Sequence, residues 1–391
     1  MSPLHSFLAS RWGIIVSGGV IGVLAALLVR WGNPPNMGVC MACFERDVAG
    51  ALGLHRAAIV QYLRPEIPAF LLGSTIAALV FGEFRSRGGS SPLLRFLLGA
   101  FAMVGALVFL GCPWRALLRL AGGDWNAIVG LAGLVAGIAV GVQFLKAGYS
   151  LGRSHPMPLA VGWVMPGAMI GLLLLAVFQP KFSEGGPIFA STQGPGSLHA
   201  ALTVSVGVGL VVGFLAQRTR FCTMGAIRDV ILMHDTHLLG GVLGLVVAAF
   251  ITNLALSLFN PGFAAQPVSH SNHLWNFLGM GLAGLAFAMA GGCPGRQVFL
   301  AGEGDSDAGI FVLGMVTGAA FAHNFNLAGT ADVLDRTTGA LTVGGPSYYG
   351  QVAVIIGLVV LLAIAFAMRE RQAERKGEVG EEGGLSRAVV P

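Results

Sequence analysis

Gly111-Cys112-Pro113-Trp114-Arg115 and Gly292-Cys293-Pro294-Gly295-Arg296 are the two stretches on which the reading of this sequence turns. Each closes an apolar run, and each is followed by Leu-Ala-Gly and then Asp, at Leu120 to Asp124 and at Leu300 to Asp305. A second pair lies upstream of them. Cys40-Met-Ala-Cys43-Phe-Glu-Arg46-Asp47 corresponds to Cys222-Thr-Met-Gly225-Ala-Ile-Arg228-Asp229, with an Arg-Asp pair six and seven residues after the first cysteine in both. Both motifs recur at an offset of about 181 residues, so the chain reads as a duplication. Of its five cysteines, four fall into matched pairs and Cys43 alone stands opposite a glycine.

Composition says what kind of chain was duplicated. The 391 residues are 55% hydrophobic and 10% charged, with mean hydropathy +0.77. A soluble domain carries about 25% charged residues, so this chain cannot cover a water-facing surface. Its apolar runs recur at roughly the 20-residue length that spans a bilayer. Ten spans are expected, at 13–29, 67–83, 96–111, 127–145, 158–178, 200–217, 239–258, 275–291, 309–325 and 351–368. The first run is read as a retained helix rather than a cleaved signal, because no small-residue cleavage pattern follows it. The net charge of +5 is no nucleic-acid signature. The basic residues gather in alternate loops, as with Arg85, Arg87 and Arg95, Lys146 and Arg153, or Arg218, Arg220 and Arg228. The positive-inside rule then puts both termini in the cytoplasm. Arg30, Arg46, Arg56 and Arg64 fall on the other side and call for local explanations.

The expected architecture is an all-α integral membrane protein with two five-helix repeats. Five is odd, so the halves insert in opposite directions. The expected parts are a first membrane repeat (1–178), an outer connecting loop (179–199), a second membrane repeat (200–368) and a disordered cytoplasmic tail (369–391). Inverted halves with motifs at broken or re-entrant helix ends are a sequence pointer to transport rather than catalysis.

Gly-Cys-Pro-x-Arg is suited to such a break. Glycine ends a helix readily and proline is favoured at the first position of the next. The cysteine then stands beside backbone N–H groups with no intrahelical partner, at a helix end that attracts anions. Arg115 and Arg296 add positive charge one turn inside. Thiol, dipole end and arginine together suit a soft anion. A neutral S–H is a weak donor that can release what it holds, whereas a thiolate would repel it. A buried cysteine in a membrane helix is also a common apolar filler, and for Cys43 that reading stands level with the functional one. Arg46-Asp47 and Arg228-Asp229 read first as caps or neutralising neighbours, since adjacent residues do not face each other on a helix. His323, Asn324 and Asn326 either line a path or mark a helix meeting water.

At these residues the sequence resembles the YeeE/YedE family of sulfur transport membrane proteins, closest to its YedE branch of putative selenium transporters. The segments that carry the resemblance are 38–55, 109–115, 220–229 and 291–296. The resemblance implies an uptake permease for thiosulfate or a related sulfur- or selenium-containing anion, in a bacterial inner membrane. It implies passage along Cys40, Cys112 and Cys293 by transient S–H hydrogen bonds, with Cys222 added by repeat symmetry. Arg115, Arg296, Arg46, Arg228 and Cys43 are the supporting residues expected around them. A small cytoplasmic sulfurtransferase of the TusA type is the partner implied, and no cofactor or metal is expected. The extra Cys43 and the histidine-containing segment after Asp47 depart from the thiosulfate members. The alternative is a membrane thiol-disulfide oxidoreductase, because Cys40-x-x-Cys43 followed by Glu-Arg resembles the signature of the DsbB proteins. The single cysteine of the second half and the length of the chain argue against it.

Overall fold

A computed structural model of the chain describes residues 3–179, 188–335 and 337–369. The expected tail from residue 370 onward and residues 180–187 of the expected outer connection lie outside the described residues. The described chain is mostly helical, with three short two-stranded pairings in its loops. In order come α1 (Pro3–Leu8), α2 (Arg11–Arg30), α3 (Met41–Ala51), α4 (Glu66–Val80), α5 (Pro92–Phe109), α6 (Pro113–Ala121), α7 (Asn126–Lys146) and α8 (Leu159–Gly162). Then follow α9 (Val164–Phe178), α10 (Leu202–Thr219), α11 (Thr223–Met233), α12 (His237–Ala255), α13 (His273–Ala290), α14 (Pro294–Gly302), α15 (Ser306–Asn324) and α16 (Tyr348–Ala367).

Eight helical stretches are long and apolar enough to cross a membrane: α2, α5 with α6, α7, α10 with α11, α12, α13 with α14, α15 and α16. The protein is thus a multi-pass membrane protein. Two of the ten expected spans, 67–83 and 158–178, are shorter helices of 15 residues each, α4 and α9. At 1.5 Å per residue they are about 22 Å long, less than the ~30 Å hydrocarbon core. In the second case the run is interrupted at Trp163, which separates α8 from α9.

The described long helices pair across the two halves. α2 packs on α12, α10 on α4, α13 on α7 and α15 on α5, while α5 and α13 pack on each other. The direction of each pair can be read from its contacts. Gly18 lies on Gly241 and Gly22 on Leu245, so α2 and α12 run the same way. Glu66 accepts from Ser205 at 2.8 Å and the Phe81 ring lies 6.2 Å from that of Phe214, so α4 and α10 run together as well. Gly133 on Phe277 with Gly141 on Ala288, and Phe96 on Gly314 with Ala100 on Gly318, say the same of α7 with α13 and α5 with α15. In contrast, Gly105 meets Ala283 and Val108 meets Gly279, so α5 and α13 run in opposite directions.

Polar clusters close the two ends. At one end Arg218 and Arg220 both reach Glu83 at 2.9 Å, Arg220 also meets Glu303, and Arg87 holds Asp305 at 2.8 Å. At the other, Arg119 meets Asp124 at 2.6 Å and Ser269 at 2.5 Å, all buried. The two aspartates of the repeated Leu-Ala-Gly…Asp pattern begin the next helix in each half. Asp124 accepts from the backbone of Asn126 and Asp305 from that of Ala308. The misplaced arginines also find partners there: Arg64 bonds Asp47 at 2.7 Å, and Arg56 lies over the Phe189 ring.

Candidate functional site

Four short helices, α3, α6, α11 and α14, begin immediately after a cysteine. Cys40, Cys112, Cys222 and Cys293 are their N-caps, all in extended backbone. The preceding long helices stop abruptly. α5 ends at Leu110 (φ +63°), α10 at Arg220 (φ +55°) and α13 at Gly291 (φ +82°), each in the left-handed region that terminates a helix. Pro113 and Pro294 start α6 and α14 where their missing N–H costs nothing. Cys40 and Cys222 cap differently, their sulfurs accepting the backbone N–H of Cys43 (3.3 Å) and Gly225 (3.2 Å).

These caps bring the thiols together in pairs. Cys40 Sγ lies 3.6 Å from Cys112 Sγ, and Cys222 Sγ lies 3.5 Å from Cys293 Sγ. All five cysteines are free and buried. The distances fit thiol–thiol contact rather than a disulfide, whose S–S length is about 2.05 Å. One pair belongs to each half of the sequence. Cys40 thus meets the thiol that caps α6, 72 residues further along the chain.

Arg115 is completely buried beside the first pair. One of its terminal nitrogens donates to Leu110 O and approaches Cys43 Sγ at 3.9 Å, which places Cys43 in the cluster. Its other terminal nitrogen donates to Val268 O at 3.0 Å and Pro267 O at 3.3 Å. Its Nε has no partner, and neither has the Nε of Arg296, whose stem packs on Gly292 just before Cys293. Both motifs thus keep a buried N–H donor uncommitted. In each Arg-Asp pair the two side chains meet, although adjacent residues point apart on a helix. Arg46 folds back to donate twice to Asp47 Oδ1, at 2.9 and 2.6 Å, and Arg228 Nε does the same to Asp229 at 2.8 Å. The side chain of arginine is long enough to reach a neighbour that the helix points elsewhere. Asp47 also holds Arg64, so this charge cluster is buried, whereas Arg228 is partly exposed.

Trp114 lies between the two motifs. Its ring meets Phe70 and Phe221 edge-on, at 5.9 and 5.2 Å between centroids, and Phe221 directly precedes Cys222. A Cβ added to Gly295 would sit 3.0 Å from its Cζ2. Trp114 and Gly295 occupy the same motif position in the two halves, so the largest side chain of one half fills the space left by the smallest of the other. The indole Nε1 is buried and has no hydrogen-bond partner.

A cavity of about 420 Å³ is lined by Arg46, Leu110 (two residues before Cys112 in the chain), Val268, His323, Asn326 and Thr330 among others. His323 and Asn326 therefore border a space, while Asn324 turns away to donate to Leu54 O at 2.9 Å. Two residues of this region escaped the sequence reading. Trp114 was quoted there only as part of a motif, although its mismatch with Gly295 was readable. Glu45, buried with neither oxygen partnered, sits opposite Ile227 in the repeat and had no matching residue to single it out.

Among the described residues, no group of three or more His, Cys, Asp or Glu could hold a metal ion. No curated protein matches the chain. Residues 218–388, which carry Cys222, Arg228, Cys293 and Arg296, match the family model described as "Sulphur transport".

Proposed function

We propose that this protein is an uptake permease for thiosulfate or a related sulfur- or selenium-containing anion. The observation that carries the proposal is the pair of thiol contacts, Cys40–Cys112 and Cys222–Cys293, each at broken helix ends beside an arginine with a free buried N–H. The sulphur-transport match over the second half supports the substrate class, and the internal repeat extends the argument to the first half. Nothing in the comparisons favours the oxidoreductase alternative.

The architecture proposed is ten spans in two inverted five-helix halves, with α4 and α9 as the short spans. The helix directions support it. α5 and α13 are the third spans of their halves and run oppositely, as inversion requires, while the same-direction pairs each join two odd or two even spans. In this frame Cys40 and Cys112 serve the outer half of the path and Cys222 and Cys293 the inner half. Both termini are then cytoplasmic, in a bacterial inner membrane.

Passage needs little rearrangement of bonds. A thiol–thiol contact is weak, since S–H is a poor donor and sulfur a poor acceptor. An incoming anion replaces that contact with S–H donation to its own sulfur or oxygen atoms. Arg115 and Arg296, with the N-termini of α6 and α14, stabilise the charge at each station. Because the thiols bind weakly, the anion can leave as readily as it arrives. Trp114 divides the stations, so transfer requires the indole to turn aside, and its free N–H is placed to donate to the anion in transit. A cytoplasmic sulfurtransferase of the TusA type would take up the released cargo.

Uptake of labelled thiosulfate and of labelled selenite into cells lacking other importers tests this reading. The parent is expected to accumulate at least one of them, and Cys112→Ala and Cys293→Ala are each expected to lose most of that uptake. Normal uptake in both variants would overturn the thiol relay, and no uptake of either anion by the parent would overturn the substrate class.

A further inference from the structure

Glu45 lies in α3, five residues after Cys40, and is 1% exposed. Neither of its carboxylate oxygens has a hydrogen-bond partner, and among the described ion pairs it has none. It sits about one and a half turns along the helix that Cys40 caps, and Cys40 contacts Cys112. No described hydrogen bond or ion pair joins Glu45 to the arginines of the motifs. Arg46 is turned onto Asp47, and the terminal nitrogens of Arg115 go to the carbonyls of Leu110, Pro267 and Val268. An ionised carboxylate buried without donor or cation is strongly unfavourable, so the neutral acid is the form this site tolerates.

The fold does not require an acid here. In the second half the same helix, α11, carries Ile227 at the matching position. A carboxyl retained in one half only, on the helix that Cys40 caps, needs a role that the other half does not share.

We propose that Glu45 is an obligatory proton site of the outer thiol pair: its carboxyl must be protonated for a dianion to be seated against Cys112. The inference rests on the anion-permease reading above. In the acid form Glu45 can donate O–H to the anion. In the ionised form it sets a like charge against the anion at a site of low dielectric, which excludes one or the other. The proton is bound and released as such, with no bond to sulfur formed or broken.

The other charged or titratable groups that border α3 are accounted for. α3 packs on α4, α5, α14 and α15. α4 brings Glu66, which accepts from Asn33 and Ser205. α5 brings Arg95 at its far end, bonded to Ser90, and α14 brings Arg296 on the second motif. α15 brings His323, whose ring lies 4.6 Å from that of His55, and Asp307 at its far end, which accepts from Ser90. α6 brings Cys112 and Arg115, and α3 itself carries Cys43, Arg46 and Asp47. None of the hydrogen bonds described for these groups reaches the Glu45 carboxyl.

The test is labelled thiosulfate uptake into proteoliposomes at fixed internal pH and clamped membrane potential, with external pH varied. The parent rate is expected to fall by about tenfold per pH unit above the carboxyl's titration, because the competent fraction falls by that factor. Glu45→Gln, neutral at every pH, is expected to transport with a flat profile across the range in which the parent rate falls. Glu45→Asp, which still titrates, is expected to keep the dependence and so controls for damage to the fold. A Glu45→Gln profile that overlays the parent's, or a parent profile that is flat, would overturn the proton site. No thiosulfate uptake by the parent at any pH would overturn the permease reading instead, and the proton site with it.

Discussion

Asp47 shows how a charge can live inside this protein. It is wholly buried and accepts from both Arg46 and Arg64, so removing its charge leaves two buried cations without a counter-ion. Asp47→Asn should therefore destabilise the protein by about 3–5 kcal/mol, as breaking a buried pair does. Asp229→Asn, whose partner Arg228 is partly exposed, should cost about 1 kcal/mol. Thermal unfolding in detergent compares them, and equal losses would show that the two repeated pairs are equivalent after all. The Arg-Asp motif was legible in the sequence, but its geometry was not. Nothing in helical spacing reveals that arginine 46 doubles back on its neighbour, or that Arg64 arrives from another segment. The thiols were legible because they repeat; Glu45 was not, because the repeat changes there, and for Trp114 the mismatch with Gly295 was readable but its contacts were not.

The short helices are the elements that position the site. Each long apolar run was visible in the sequence, but the four helices of 9 to 11 residues that begin at the cysteines were visible only as breaks. Their length is too small for an apolar period to declare itself, and their contacts come from distant parts of the chain. The shortness of α9 was hidden likewise, since residues 158–178 are apolar throughout and only the backbone shows the interruption at Trp163. The fit of α6 on α14 rests on Trp114 against Gly295. Gly295→Leu must push the indole or α14 aside, and uptake is expected to drop at least about tenfold, the equivalent of ~1.4 kcal/mol. Adding Trp114→Ala to the same chain should restore part of it. Undiminished uptake by Gly295→Leu alone would show that Trp114 does not divide the path.

At the scale of the whole molecule, the inversion we propose makes one sequence motif serve both faces of the membrane. The alternation of basic loops in the sequence points this way, and the directions of the packed helices support it independently. It can be checked without reference to transport. Ser154→Cys and Thr338→Cys place new thiols on exposed loops that the ten-span arrangement puts on opposite sides. A membrane-impermeant maleimide added outside intact cells should label the second and spare the first; labelling of both, or of the first alone, would refute the arrangement. The buried native thiols should stay unlabelled in either case.

The central claim is that the anion is held by the paired thiols, and selenium offers the most direct view of it. Crystals of the protein soaked in selenosulfate, the selenium analogue of thiosulfate, would be measured at the selenium absorption edge. An anomalous peak in contact with Cys112 or Cys293, between the members of a pair that have moved apart to admit it, is the predicted result. A peak only at the membrane surface or in a site remote from both pairs would contradict the account.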